Sequence, residues 1–410
     1  MKTETKKFFY GWYIVAACFI LSAMTYGAIN NCMGVFIKPV CADMGYSRSA
    51  FGLVSTIMSG SLMIMSLLSG KLFRHLDVTK TLRFCAIVMA AGYFSFSFAR
   101  SLPMFYLSAL VTGLAEGTIT TVALSILISN WFHQKRGLAF GIAFMGSGVG
   151  GMICNPLASM LIQNMGWRMA YRILAVTVFV FAVPVAFLIL RTRPEQMDLT
   201  AYGEEKDAAA PVVSQQSGMM AWEAMRTPGF WVLCLCCALN TICSSGLMQN
   251  TAPHISDVGY SPTFAASVAS ANMGALALGK LLLGWLYDKL GVKKATIISH
   301  LFAIIGLCGA LLAPALPGVG LIVLGVSLGG AFGTVAYPLV AQAQYGNRDY
   351  GSIMGVMTAF ANVGGMLIPI LVGGSFDLLG SYKPAFTVMI GLLCLMIGVY
   401  CFLFRTKKPA

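Results

Sequence analysis

Apolar residues recur along this chain in long blocks separated by short polar stretches. A helix needs about 20 mostly apolar residues to cross ~30 Å of hydrocarbon, and blocks of that length fall at roughly 9–36, 49–70, 83–101, 104–130, 137–163, 170–190, 229–253, 262–286, 295–314, 318–343, 351–376 and 384–404. Their number and length predict an all-α membrane protein with twelve transmembrane helices.

Composition agrees. With 58% hydrophobic and 10% charged residues and a mean hydropathy of +0.80 over 410 positions, the chain cannot cover itself with a charged surface, so membrane lipid is its expected surroundings. The 44 glycines then read as close-packing and hinge positions, and Met and Phe as fillers of irregular gaps.

The distribution of charge gives orientation. With the N-terminus in the cytoplasm, twenty Lys and Arg fall on that side and six on the other (Lys38, Arg48, Arg100, Arg168, Arg172 and Lys383), leaving Lys280 inside a span. Such a bias predicts both termini inside. It also accounts for the pI near 9.2 without nucleic acid. Lys2, Lys6 and Lys7 precede an apolar run too long for a signal peptide, so the first span is expected to stay.

Sliding the sequence along itself by 214 residues aligns three places in one register. Asp43-Met44-Gly45-Tyr46-Ser47 overlays Asp257-Val258-Gly259-Tyr260-Ser261. Gly70, Leu72, Leu76, Val78 and Lys80 overlay Gly284, Leu286, Leu290, Val292 and Lys294, and Gly137, Gly141, Gly150, Gly151 and Met152 overlay Gly351, Gly355, Gly364, Gly365 and Met366. Six spans are thus repeated in parallel. The expected division is an N-terminal half (1–190), a polar cytoplasmic linker (191–228) carrying the Glu204-Glu205-Lys206-Asp207 cluster, and a C-terminal half (229–410). Two parallel six-helix halves match the major facilitator arrangement, with substrate held at the midplane between them.

The loop Gly284-Trp285-Leu286-Tyr287-Asp288-Lys289-Leu290-Gly291-Val292-Lys293-Lys294 resembles the loop signature of the major facilitator superfamily. The resemblance implies a cytoplasmic latch in which Asp288 caps a helix terminus, with Lys289, Gly284 and Gly291 shaping the loop. The first-half copy has Arg74 where the acid belongs, and Asp77 lies near enough in sequence to substitute. Tyr10-Gly11-Trp12-Tyr13-Ile14-Val15, Trp131-Phe132-His133-Gln134-Lys135-Arg136-Gly137-Leu138-Ala139 and Thr227-Pro228-Gly229-Phe230-Trp231 narrow the resemblance to the bacterial oxalate/formate antiporter and monocarboxylate transporter branch. That branch implies a bacterial inner-membrane location and a monomer. The glycines at 137, 141, 146, 148, 150 and 151 read as a packing face of span 5.

Two charged side chains sit deep in spans, Glu116 and Lys280. Each costs ~2.5–3.5 kcal/mol to insert, so both are expected to point away from lipid. Lys280 stands where the branch carries an arginine that binds the substrate carboxylate; its ammonium offers point charge without the planar fork. A fixed ion pair and snorkelling toward Asp288 are the bland alternatives for it. Glu116 is open to three readings: a proton-coupling carboxyl, a gating partner of Lys280, or a receiver of a positive group on a zwitterion. The resemblance to oxalate carriers implies a second cation in span 11, but 351–376 holds no Lys or Arg, which favours a monoanion. Asn30, Asn31, Thr120, Asn240 and Tyr337 are candidate cavity residues, Tyr337 by resemblance to a substrate-contacting tyrosine; each also reads as a helix–helix hydrogen bond.

No metal or cofactor is expected: His75, His133, His254 and His300 are isolated at span ends or in loops, and Cys234 and Cys237 lie on an apolar helix without a neighbouring His. No nucleotide loop, nucleophile elbow or paired carboxylates appear, so an enzyme is not expected. The function expected is secondary transport of a small organic anion, a carboxylate, with or without protons. The alternatives are a zwitterion carrier, a drug or cation effluxer working through Glu116, and a non-transporting membrane sensor.

Overall fold

A computed structural model describes residues 9–119, 121–203 and 218–404. Among these the elements are helical: α1 (Gly11–Met44), α2 (Arg48–His75), α3 (Val78–Phe98), α4 (Leu102–Trp131), α7 (Pro228–Asp257), α10 (Leu316–Tyr345), α11 (Tyr350–Phe376) and α12 (Lys383–Leu403). Two longer runs supply the remaining four helices. Arg136–Leu188 is broken at Gly166 (φ 79°, ψ 161°) into α5 (136–165) and α6 (167–188). Pro262–Leu311 is broken at Gly291 (φ 75°, ψ 169°) into α8 (262–290) and α9 (292–311). The sequence predicts loops of several residues at both places; single glycines suffice, because positive φ costs glycine nothing.

The repeated motif has a local cause. Gly45 ends α1 in the left-handed conformation, and the Ser47 hydroxyl accepts the Ala50 N–H at 3.2 Å to start α2. Gly259 and Ser261 repeat the device, with Ser261 Oγ accepting from Phe264 N at 3.2 Å. A left-handed glycine and a serine N-cap fix the same tight turn twice.

Glycines also set how the helices meet. A Cβ on Gly137 would lie 2.2 Å from the Gly284 carbonyl oxygen, so α5 and α8 cross backbone to backbone. Gly148 faces Ala277 farther along the same crossing, and on the other flank Gly70 of α2 packs on Ser352 of α11. Within the first half, Gly27 of α1 meets Gly150 of α5. Leu107, Val180, Leu188, Leu278 and Phe402 stay exposed, the apolar exterior that lipid would solvate.

Candidate functional site

Where the halves meet near the face that carries the chain ends, Asp288 accepts the N–H groups of Gly137 and Leu138 at 2.7 Å each, capping α5. These are charge-assisted bonds at a helix N-terminus, where the peptide dipoles favour an anion. Gly284 seats the loop against Gly137, Gly291 turns it, and the Lys289 ammonium lies 4.7 Å over the Trp285 ring.

The first-half copy behaves differently from the sequence expectation. Asp77 does not substitute for the missing acid: its carboxylate caps α3, accepting from Lys80 N at 2.9 Å. Arg74 itself bonds Asp349, whose carboxylate also accepts the Ala221 N–H at 3.0 Å. A cleft of about 600 Å³ opens beside this pair, lined among others by Arg193, Arg348, Asn130 and Asn347. Neither intramembrane charge lines it.

Deeper in the bundle, Lys280 is 3% exposed and its ammonium donates to Ser147 Oγ at 2.5 Å. Ser147 is the residue that sequence reasoning missed. It belongs to α5, so this bond joins the halves. The Ser147 hydroxyl donates to the Phe144 carbonyl at 2.9 Å, leaving its lone pairs for the ammonium. No carboxylate pairs with Lys280 among the described residues.

Glu116 is fully buried in α4 and accepts a hydrogen bond from Asn30 Nδ2. Its Oε2 has no hydrogen-bond partner among the described residues. Glu116 and Lys280 are not paired with each other in this conformation among the described residues. Asn31 donates from Nδ2 to the Ser147 carbonyl at 3.3 Å. Asn30 and Asn31 close a π-helical stretch, Ala23–Asn30, within α1. Such a bulge rotates neighbouring side chains to faces that a regular helix would not offer together.

Asn240 and Tyr337 share no hydrogen bond with Lys280, Ser147, Glu116, Asn30 or Asn31 among the described residues. Tyr337 donates to the Cys237 carbonyl at 2.8 Å and accepts from Asn240 Nδ2 at 3.2 Å, which ties α10 to α7. Thr120 lies outside the described residues, as do Lys2, Lys6, Lys7 and the 204–207 charge cluster. Two histidines depart from expectation: His254 and His300 are buried within helices, on the carbonyls of Ala310 (2.7 Å) and Thr296 (2.8 Å). Among the described residues no group of three or more metal-ligating side chains forms. One residue of each branch motif bonds a backbone carbonyl: Tyr10 donates to the Ile189 carbonyl at 2.9 Å, Trp131 Nε1 to Arg191 O at 2.9 Å, and Trp231 Nε1 to Met225 O at 2.8 Å.

The chain is similar to monocarboxylate transporter 12 of Homo sapiens, 27% identical over 94% of this chain and 78% of that protein. It is likewise similar to monocarboxylate transporter 13 of Rattus norvegicus, 26% identical over 100% of this chain and 94% of the relative. Its fold matches the solved human organic anion transporter TETRAN, with a TM-score of 0.70 at 16% identity over 95% of this chain and 99% of that one. The profile of the Major Facilitator Superfamily matches residues 15–369 and again 242–410. On these matches and the twelve-helix architecture, the chain belongs to the Major Facilitator Superfamily and is a membrane transporter rather than an enzyme.

Proposed function

We propose that the chain carries a small organic carboxylate, a monocarboxylate, by alternating access, with Lys280 neutralising the anion and Glu116 coupling the cycle to protons. The observation that carries this reading is the Lys280 ammonium, buried at the junction of the halves and answered, among the described residues, only by a serine hydroxyl. A neutral hydroxyl offsets a fraction of the several kcal/mol that desolvating an ammonium costs. A substrate carboxylate supplies the missing countercharge, and binding it between the halves lets the loaded carrier cross. The names of the relatives agree with an anion of this class.

In this reading the units 1–190 and 229–410 rock about the central site, joined by the linker 191–228, and the Lys/Arg bias puts both termini in the cytoplasm of a bacterial inner-membrane protein that works as a monomer. The Asp288 and Arg74 contacts then hold the cytoplasmic side closed in this conformation. Asp288, with Lys289, Gly284 and Gly291, acts in gating. Asn30 and Asn31 line the site beside Glu116, and Asn240, Tyr337 and Thr120 contribute to the substrate pocket.

A second reading follows from the unpartnered Oε2 of Glu116: a zwitterion would place its carboxylate on Lys280 and its ammonium on Glu116. Uptake into proteoliposomes, screened with lactate, pyruvate, formate, benzoate, an amino acid and betaine with and without a pH gradient, decides between them. Uptake of an acid from the first four supports the carboxylate reading; uptake of only amino acid or betaine supports the second, and uptake of none overturns both.

A further inference from the structure

The acid and the base do not touch, yet the structure joins them through a short run of bonded groups. Asn30 of α1 donates to Glu116 of α4. Its neighbour Asn31 donates to the Ser147 carbonyl of α5, and the Ser147 hydroxyl takes the Lys280 ammonium of α8. Packing leaves the run little freedom: a Cβ on Gly151 would lie 2.6 Å from Asn31 Nδ2, and one on Gly150 would lie 2.4 Å from the Ala23 carbonyl oxygen. Asn30 and Asn31 are consecutive residues at the end of the π-helical stretch, so one cannot shift without carrying the other.

We infer that Ser147 and Asn31 are positioning residues that couple the two sites, so that charge or occupancy at Lys280 is felt at the Glu116 carboxyl. The inference rests on the proposed roles of Lys280 and Glu116 and adds the path between them. Movement of the ammonium from Ser147 onto an arriving carboxylate removes the proton-bearing partner of the Ser147 hydroxyl oxygen. The Asn31 bond to the same residue transmits the change to α1, and Asn30 delivers it to Glu116. No ion pair reaches Glu116 among the described residues, and the titratable groups packed nearby are neutral ones: Tyr93 on α3, with Cys32 of α1, Cys154 of α5 and Tyr171 of α6 around that ring.

A path of contacts is not by itself coupling, so the test measures the coupling directly. Infrared difference spectra of the full-length protein in lipid follow the Glu116 carboxyl, identified as the band that Glu116→Gln removes, across a pH titration without substrate. Lys280→Met is expected to shift the midpoint of that band by a factor of about three or more in proton concentration, within the range that coupling networks show. Ser147→Ala and Asn31→Ala, two variants on the same link, are each expected to shift it too, and Lys280→Met added to Ser147→Ala is expected to shift it no further. A midpoint that moves with Lys280→Met but stays at the wild-type value in both link variants overturns the path. A midpoint that is the same in all three overturns the coupling. Loss of carboxylate uptake in Lys280→Ala is a separate measurement, so failure of the substrate reading and failure of the link are told apart.

Discussion

Arg74 and Asp349 form an ion pair across the two halves, and the 214-residue repeat maps them onto Asp288 and Lys135 with acid and base exchanged. In the second-half loop the acid stands at the loop position and caps the α5 N-terminus, with Lys135 close enough to act on its charge. In the first-half loop the base stands there and the acid has moved across to the start of α11. The repeat therefore carries an acid and a base at matching positions twice, with their polarity reversed.

Charge exchange makes the first prediction. Arg74→Asp and Asp349→Arg, each alone, are expected to weaken closure on the face carrying the termini; together they are expected to restore most of it. Asp349 is 4% exposed and Arg74 47%, so the pair is screened on one side and its coupling is set at about 1 kcal/mol, a roughly fivefold change in the closed-to-open ratio. Accessibility of a single engineered cysteine in that face to a thiol reagent measures the ratio. Non-additivity below twofold would remove the pair from the gate.

Asp288→Asn retains shape but gives up the charge of two bonds to α5 backbone N–H groups. Loss of a helix N-cap of this kind costs about 1 kcal/mol. The same accessibility assay is expected to show a severalfold opening, and unchanged protection would assign Asp288 no gating role.

The glycine crossings predict a contrast. Gly137→Ala and Gly284→Ala push a Cβ to within 2.2 and 2.1 Å of backbone carbonyl oxygens in the facing helix, whereas Gly52→Ala and Gly60→Ala meet nothing within 4 Å. Overpacking of the first pair is expected to cost about 1–3 kcal/mol and lower the melting temperature, while the second pair stays near wild type. Equal melting of all four would mean that α5 and α8 do not cross as closely as described.

Glu116→Gln is expected to abolish accumulation driven by a pH gradient and to spare counterflow exchange, since exchange needs a neutral group at that site but no proton release. Pumping that persists in this variant would relocate the proton site.

The spans, the repeat and the Asp288 cap on α5 were legible because each is written in local sequence. Apolar length specifies a helix, and Gly45 with Ser47, like Gly259 with Ser261, specifies a turn within five residues. Boundaries near Gly166 and Gly291 were less legible, since one residue of positive φ does the work of a loop. Asp349 was hidden differently: its partner lies 275 positions away, and the expectation of an acid at position 74 drew attention to Asp77. The exchange of Lys135 for Asp349 under the 214-residue shift was the available signal. Ser147 sits among Gly146, Gly148 and Gly150, where a small residue reads as packing, and only the approach of Lys280 from the other half gives its hydroxyl a role.

Binding of the best-transported acid to purified protein, measured calorimetrically for wild type, Lys280→Arg and Lys280→Ala, addresses the anion site most directly. A buried countercharge lost on truncation predicts at least a hundredfold weaker binding in Lys280→Ala, with much of the affinity kept in Lys280→Arg. Equal affinity in wild type and Lys280→Ala would contradict the assignment of Lys280 as the group that receives the carboxylate.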